Sequence, residues 1–367
     1  IELCAEMLIA NLRAHHSHAF EAERLAPHAV PRFERLPRAG GRRTAVNADR
    51  LLNRFWDYPR YLVRRVGEFD LFHLAEHSYG QLVRVLPAGR TVVTCHDLDT
   101  FRSVLEPHRD PRPGWYRAMA RQQMGAVLKA ARVICVSHTV RDELLGFGLV
   151  PPERVAVVHN GTHPSSSPLA DPPADREAAA LLAGAGPTVD LLHVGGTAPR
   201  KRIEVLLRVF AAVRRELPAA RLIRVGAFTP AHQELIAELR LEDSIVALPF
   251  LDRDVLSAVY RRAALVLQPS DAEGFGLPVT EAMACGTPVV ASDIPVLREV
   301  GGTVATYCPV GDVAAWSAAV LALLAERRDD PARWAERRAA GVAQGGLYSW
   351  EAHTRGVVAV YREILQG

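Results

Sequence analysis

Short runs rich in Val, Ile and Leu recur along the chain, each followed by a stretch whose apolar residues keep helical spacing. That alternation leaves few folds open. A run apolar on both faces reads as a parallel strand, and parallel neighbours need a crossover, ordinarily a helix. In the first half the runs cover residues 69–77, 90–97, 131–137 and 154–161. In the second they cover 190–196, 221–226, 244–250, 263–270, 288–293 and 304–308. Ile203, Leu206, Leu207, Phe210 and Val213 supply the helical period between the first two of the second set. The stretch between the halves is rich in Pro, Ser, Ala and Gly and reads as a linker, with a short helix around Arg176 to Leu182. The expected architecture is α/β: two Rossmann-like, doubly wound domains facing across a cleft, at 1–165 and 188–345. A linker at 166–187 joins them, and a C-terminal helix in 346–367 packs back on the first. A chain of 367 residues suits two domains, each with its own core. Ligands of such sheets sit beyond the carboxyl ends of the strands, so the turns there carry the functional expectation.

Composition narrows the partners. A net charge of +3 is too mild to imply nucleic acid. No apolar run is long enough to span a bilayer. Cys4, Cys95, Cys135, Cys285 and Cys308 are odd in number and contain no CxxC, which suits buried thiols in a reducing, cytoplasmic compartment. Residues 32–65 hold ten arginines against three acids, with Phe33, Phe55, Trp56, Tyr58 and Tyr61 among them. The plain reading is a solvated face; the sharper one is a surface for an anionic acceptor or a peripheral contact with the inner membrane face. His15, His16 and His18 lack cysteine or carboxylate partners at ligand spacing and read as a solvent-facing stretch.

The run PSDAEGFGLPVTEAMACG, from Pro269 to Gly286, combines several local signals. Pro278 suits a helix start and Gly286 a helix end, so Asp271 to Leu277 is a turn feeding a helix N-terminus. Gly274 and Gly276 let the backbone approach a ligand, with amides that favour oxygen-rich groups. Glu273 in the turn and Glu281 one helical turn in stand too far apart for a surface i,i+4 pair. They suit two parts of one elongated ligand, a carboxylate being a good acceptor for sugar hydroxyls. Taken singly, each glutamate also reads as a solvated loop acid or a first-turn residue complementing the helix dipole. Earlier in the same half, HVGGTAPRKR spans 193–202. Arg200, Lys201 and Arg202 are expected in the first turn of the next helix, at its positive pole, where three cations are unfavourable unless an anion joins them. A diphosphate fits best. GGTAPRK lacks the GK[ST] ending of a Walker A loop.

EGFGLPVTE followed by AMACGTPVV resembles the E-x7-E signature of family 4 of the retaining glycosyltransferases, enzymes of the GT-B fold. The resemblance implies that Glu273 faces the donor sugar, that Gly274, Phe275, Gly276 and Leu277 flank sugar and phosphate, and that Glu281 binds the donor ribose. It places Arg200 and Lys201 on the donor diphosphate, with Gly195 and Gly196 giving backbone-close access. His96, after the strand TVVTC, matches a histidine that contacts the donor sugar near the reacting centre. Asn160 with Gly161 matches an Asn-Gly turn that is a tight turn first and a ligand contact second. Asp97-Leu98-Asp99 offers a metal-binding D-x-D reading of the other large glycosyltransferase fold, but the rest of the chain reads as GT-B, which needs no metal; Asp97 or Asp99 is expected to cap the following segment. Relatives begin with a strand and a Gly-rich loop, whereas Ile1-Glu2-Leu3 already reads as the helix after that loop. The first strand and loop are therefore expected to be missing, and if they are truly absent activity itself is in question.

The implied reaction is retaining transfer of a hexose, of mannose or glucose type, in cell-surface polysaccharide or glycolipid synthesis. The donor is a nucleotide diphosphate sugar, GDP-mannose or a UDP-sugar, with a leaning to GDP-mannose. The acceptor is a saccharide or a lipid-linked molecule. No cofactor is expected beyond that donor. Three rivals stand beside this reading. A sugar-nucleotide epimerase shares the fold; a sugar-nucleotide-binding module would bind without turnover. A dehydrogenase would need a G-x-G-x-x-G fingerprint after a strand, which the chain lacks.

Overall fold

The computed structural model describes residues 2–35, 42–183 and 188–366. The chain divides into two compact units: Ile1–His159 with Trp350–Gly367, and Asn160–Ser349. Asn160, read from sequence as closing the first domain, thus opens the second unit. Of the segment read as a linker, residues 184–187 lie outside the described residues. Within it Pro172–Leu181 is a helix, started by Asp171, whose side chain accepts the Ala174 amide.

The first unit holds a four-stranded parallel sheet of β1 (Phe72–Leu74), β2 (Thr91–Cys95), β3 (Arg132–Cys135) and β4 (Val155–Val157), paired in that order. All five residues of β2 are buried, the threonines at 91 and 94 included, as suits a strand covered on both faces. The helices Glu2–His15 and Trp350–Gln366 share one cluster with this sheet: Leu8, Leu12, Val92, Ile134, Val158, Val357 and Tyr361. The chain end is therefore part of this core.

The second unit holds β5 (Val189–Val194), β6 (Ala220–Val225), β7 (Ile245–Leu248), β8 (Leu265–Gln268), β9 (Val289–Ser292) and β10 (Thr306–Cys308). All pairs are parallel, in the order β10-β9-β8-β5-β6-β7. The chain winds outward from β5 to β7, then returns to lay β8 on the other side of β5. Strand order therefore reverses between β5 and β8, the place in a doubly wound sheet where two loops diverge and leave room for a ligand. The helix Ile203–Glu216 crosses from β5 to β6 and buries Ile203, Leu206, Leu207, Phe210 and Val213, the period seen in sequence, beside Trp316 and Trp334. No helix among the described residues is long and apolar enough to cross a membrane.

Candidate active site

The loops leaving the carboxyl ends of β5 and β8 carry the two motifs, and the structure brings them together. From β5 the chain runs through Gly195 and Gly196 into a single 3-10 turn, Pro199–Lys201. Arg202 then takes a left-handed conformation (φ 50°) and the helix begins only at Ile203. This corrects the sequence expectation: the cations precede the helix in a turn of their own instead of occupying its first turn. Pro199 starts that turn, and the kink at Arg202 re-aims the chain. From β8 the chain passes Pro269 and Ser270 into the acidic turn, which ends at Gly276 with φ 101°. A Cβ there would lie 2.8 Å from Leu297 Cδ2, so only glycine fits. The helix Leu277–Ala284 follows with Pro278 in its first turn. Gly286 has φ 74°, the left-handed residue just past a helix end. A backbone bond from the Asp271 amide to the Arg200 carbonyl, 2.9 Å, ties the two loops.

Glu273 is the hub. Its Oε1 accepts from Lys201 Nζ at 2.6 Å, Gln268 Nε2 at 2.7 Å and Ser270 Oγ at 2.7 Å; its Oε2 faces Arg200 Nη1 at 3.2 Å. Arg200 also donates to the Ala272 carbonyl at 3.0 Å. The Glu273 side chain is only 6% exposed. Burial pushes its pKa up, but Lys201, Ser270 and Arg200 outweigh that and hold it below the usual carboxylate value. Arg202 turns away to Glu204 and Asp271. Two cations therefore meet one carboxylate at the end of the sheet.

Glu281 is buried within the helix, where Oε2 accepts the Tyr260 hydroxyl at 3.0 Å; burial raises its pKa to about 7. Leu277 is the first helical residue, and Phe275 is buried edge-on to Tyr348 at 5.5 Å. Asn160 is buried. His96 belongs to the first unit, directly after β2. Its Nε2 pairs with the Ala75 carbonyl at 2.9 Å and its amide donates to His77 Nδ1 at 3.3 Å; burial lowers its pKa. Asp97 accepts the Asp99 amide at 3.0 Å, a local turn just before the helix Asp99–Leu105, whose N-cap residue is Leu98.

Sequence reasoning missed three residues. Tyr260, on the helix Arg253–Arg262, reads as an ordinary apolar-face tyrosine yet pins Glu281. Arg224 lies fully buried on β6, and a strand arginine carries no sequence signal of burial. Gly226 follows it with φ 126°; a Cβ there would sit 2.2 Å from the Gly195 carbonyl oxygen.

Known proteins resemble this chain over most of its length. A family model described as glycosyltransferase family 4 matches residues 5–166, and one described as glycosyl transferases group 1 matches 188–326. The chain is 32% identical over 322 residues to a D-inositol 3-phosphate glycosyltransferase of Segniliparus rotundus, covering 82% of this chain and 69% of that protein. Its counterpart in Thermobispora bispora is 31% identical over 317 residues, covering 82% and 72%. The Anabaena protein HepE, solved in complex with UDP and glucose, superposes with a TM-score of 0.71 at 17% identity over 97% of this chain and 95% of that one. Sucrose-phosphate synthase of Thermosynechococcus elongatus gives 0.66 at 24% identity over 84% and 78%. At those identities the two structures speak for the fold, which is GT-B. The chain belongs to the family 4 glycosyltransferases.

Proposed function

We propose that this glycosyltransferase moves a hexose from a nucleotide diphosphate sugar to an acceptor hydroxyl, with retention at the anomeric carbon. The observation that carries this reading is the meeting of Arg200, Lys201 and Glu273 where strand order reverses. Cleavage of the donor's glycosidic bond leaves a nucleoside diphosphate that gains negative charge. Arg200 and Lys201 stabilise that charge as it develops, an electrostatic effect strongest in a site closed to water. Glu273, still held by Ser270 and Gln268, turns its carboxylate to the sugar hydroxyls. Gly195, Gly196 and the turn at 274–277 let the backbone lie against the phosphates; Glu281 takes the ribose; His96 and Asn160 contact the donor. No carboxylate in these loops stands ready as a nucleophile, so same-face attack through an oxocarbenium-like state suits the residues better than a covalent intermediate. No cofactor beyond the donor is needed for these steps. The acceptor is a saccharide, a lipid-linked molecule or a polyol phosphate, the last suggested by the names of the relatives. A role in cell-surface polysaccharide or glycolipid synthesis at the cytoplasmic side of the membrane follows from such acceptors.

The test is a screen of UDP-glucose, other UDP-sugars and GDP-mannose for thermal stabilisation, followed by product analysis. A donor at a hundred times its Kd adds about 2.7 kcal/mol to the stability of the unit that binds it. We expect one donor to raise Tm, and transfer to inositol phosphate or a lipid-linked saccharide with the anomeric configuration kept. Release of an altered sugar nucleotide without acceptor would instead show an epimerase. Binding without turnover would show a binding module. If no nucleotide sugar raises Tm, the reading fails.

Peripheral membrane contact is part of the same proposal. The helix Arg42–Leu52 runs through one π turn, Asn53–Asp57, into the helix Tyr58–Arg65. Arg32 is tied to Asp57, and Arg65 to Glu23 and Glu68, so those charges are already matched. Residues 36–41 of the Arg-rich stretch lie outside the described residues. The exposed residues of this run include Leu52, Trp56, Arg60, Val63 and Arg64, with the Arg60 guanidinium 3.5 Å from the centre of the Trp56 ring. Apolar and basic side chains so mixed suit an anionic headgroup layer. Removing Arg60 and Arg64 together is expected to weaken binding to phosphatidylserine vesicles by about 2 kcal/mol, at about 1 kcal/mol each. Co-sedimentation of wild type and of the Arg60→Ser/Arg64→Ser variant checks it; equal binding would sink the contact.

A further inference from the structure

We infer that Arg224 is a positioning residue for the donor diphosphate, holding the Gly195–Gly196 turn from beneath and leaving a buried positive charge that a diphosphate on that turn neutralises. The inference rests on the donor reading above and assigns a residue that neither loop motif contains. Arg224 is wholly inaccessible. Its Nη1 donates to the Gly195 carbonyl at 2.9 Å and the Val225 carbonyl at 3.0 Å, and its Nη2 to the Gly196 carbonyl at 2.9 Å. A weaker contact reaches the Ala227 carbonyl at 3.4 Å. One planar group thus grips both glycines of the β5 loop, a task its fixed fork of donors suits.

The fifth partner is more telling. Nη1 lies 2.9 Å from His193 Nδ1. A guanidinium only donates, so Nδ1 accepts by sharing one of the two Nη1 protons already directed at the carbonyls, and Nε2 carries the ring proton. That Nε2 is buried without a partner. Burial and the neighbouring Arg224 drive the His193 pKa well below its usual value, so the ring is neutral. Among the described residues no carboxylate pairs with Arg224. Burial lowers its pKa to about 10, which leaves it charged at neutral pH. Buried charges are ordinarily matched, because leaving water is costly. Here carbonyl dipoles solvate the cation, and the residual charge faces the loop that also carries Lys201. An arriving diphosphate supplies the missing anion.

Gly226 is the second half of the device. Its φ of 126° and the 2.2 Å approach between an added Cβ and the Gly195 carbonyl oxygen show that the β5 and β6 loops are seated against each other with no room to spare. Arg224 holds the Gly195 carbonyl and Gly226 leaves room for both, since an added Cβ would also stand 3.1 Å from Arg224 Nη1.

The test compares wild type with Arg224→Met, Arg224→Lys and Gly226→Ala, using calorimetric titration with UDP, GDP and inorganic pyrophosphate, and donor kinetics. We expect Arg224→Met to weaken binding of pyrophosphate, and of whichever nucleoside diphosphate wild type binds, by at least about tenfold, since displacements near 1 Å have that scale of effect. Donor KM should rise more than kcat falls, and Arg224→Lys should recover part of the affinity by keeping the charge. Gly226→Ala keeps the arginine but must displace the Gly195 carbonyl, so it should show the same KM rise; it carries the test should Arg224→Met not fold. Affinity within twofold of wild type in folded Arg224→Met, or in Gly226→Ala, overturns this inference and leaves the donor reading standing. A wild type that binds none of the three ligands overturns both.

Discussion

Lys201→Ala is expected to lower kcat for transfer by about 10²–10³-fold, the scale seen when one preorganised donor to a developing oxyanion is removed. Lys201 Nζ is the nearest cation to the Glu273 carboxylate, at 2.6 Å, and its side chain is mostly buried. In this setting a charge acts with little screening. The substitution has a second consequence, readable in pH. In wild type the pKa of Glu273 is lowered on folding, so its pairing contributes stability that is present above the carboxylate's ordinary pKa. That stability is lost as pH falls through the lower folded value. Without Lys201 the strongest opposing influence is gone, the folded pKa moves up, and the stability lost on acidification becomes smaller than in wild type. Steady-state kinetics, with thermal melts from pH 7 down to about pH 3, read both effects. Arg202→Asn is the control: Arg202 points to Glu204 and Asp271, and Asn tolerates its left-handed backbone, so kcat should stay within about threefold. A Lys201→Ala enzyme with near wild-type kcat would remove the cation from the mechanism.

Gly276→Ala is expected to destabilise the second unit by about 2–4 kcal/mol, combining backbone strain with overpacking. The left-handed φ of 101° disfavours any side chain, and the new methyl would meet Leu297 Cδ2 at 2.8 Å and Val300 Cγ2 at 3.4 Å. Leu297 is wholly buried and cannot swing away. The strain falls on a turn that also holds Glu273, so donor KM should rise by about tenfold alongside the lost stability. Gly146→Ala is the matched control. It lies in the helix His138–Gly146 with no atom near its added Cβ, and is expected to change stability by less than about 1 kcal/mol. Urea unfolding followed by far-UV circular dichroism distinguishes the two; equal midpoints for both alanine variants would show that the turn is not constrained as described.

Much of this molecule is written locally. The apolar run of β2, the period from Ile203 to Val213 and the Gly276–Pro278 helix start are each decided by a few adjacent residues, because strand burial, helical spacing and the φ demands of a turn act over short range. Glu273, Lys201 and Arg200 were legible for the same reason: glycines, a proline and clustered charges sit at strand ends. Arg224 was not legible, because a strand arginine ordinarily points to water and its partners lie about thirty residues away on β5. The site of the cations was misjudged by one turn, since no local pattern announces the left-handed backbone of Arg202, where the chain kinks before the helix.

The order of residues by itself determined that parallel strands, crossover helices and two charged turns would form. Which turns would meet was decided only in three dimensions. β8 lies beside β5, and this insertion brings Lys201 onto Glu273 across 72 residues of chain. The physical reason is that β8 is buried along its whole length and is flanked on both sides; after β7 the sheet has free edges on β5 and on β7, and β8 takes the β5 edge, where β9 and β10 then cover its other side.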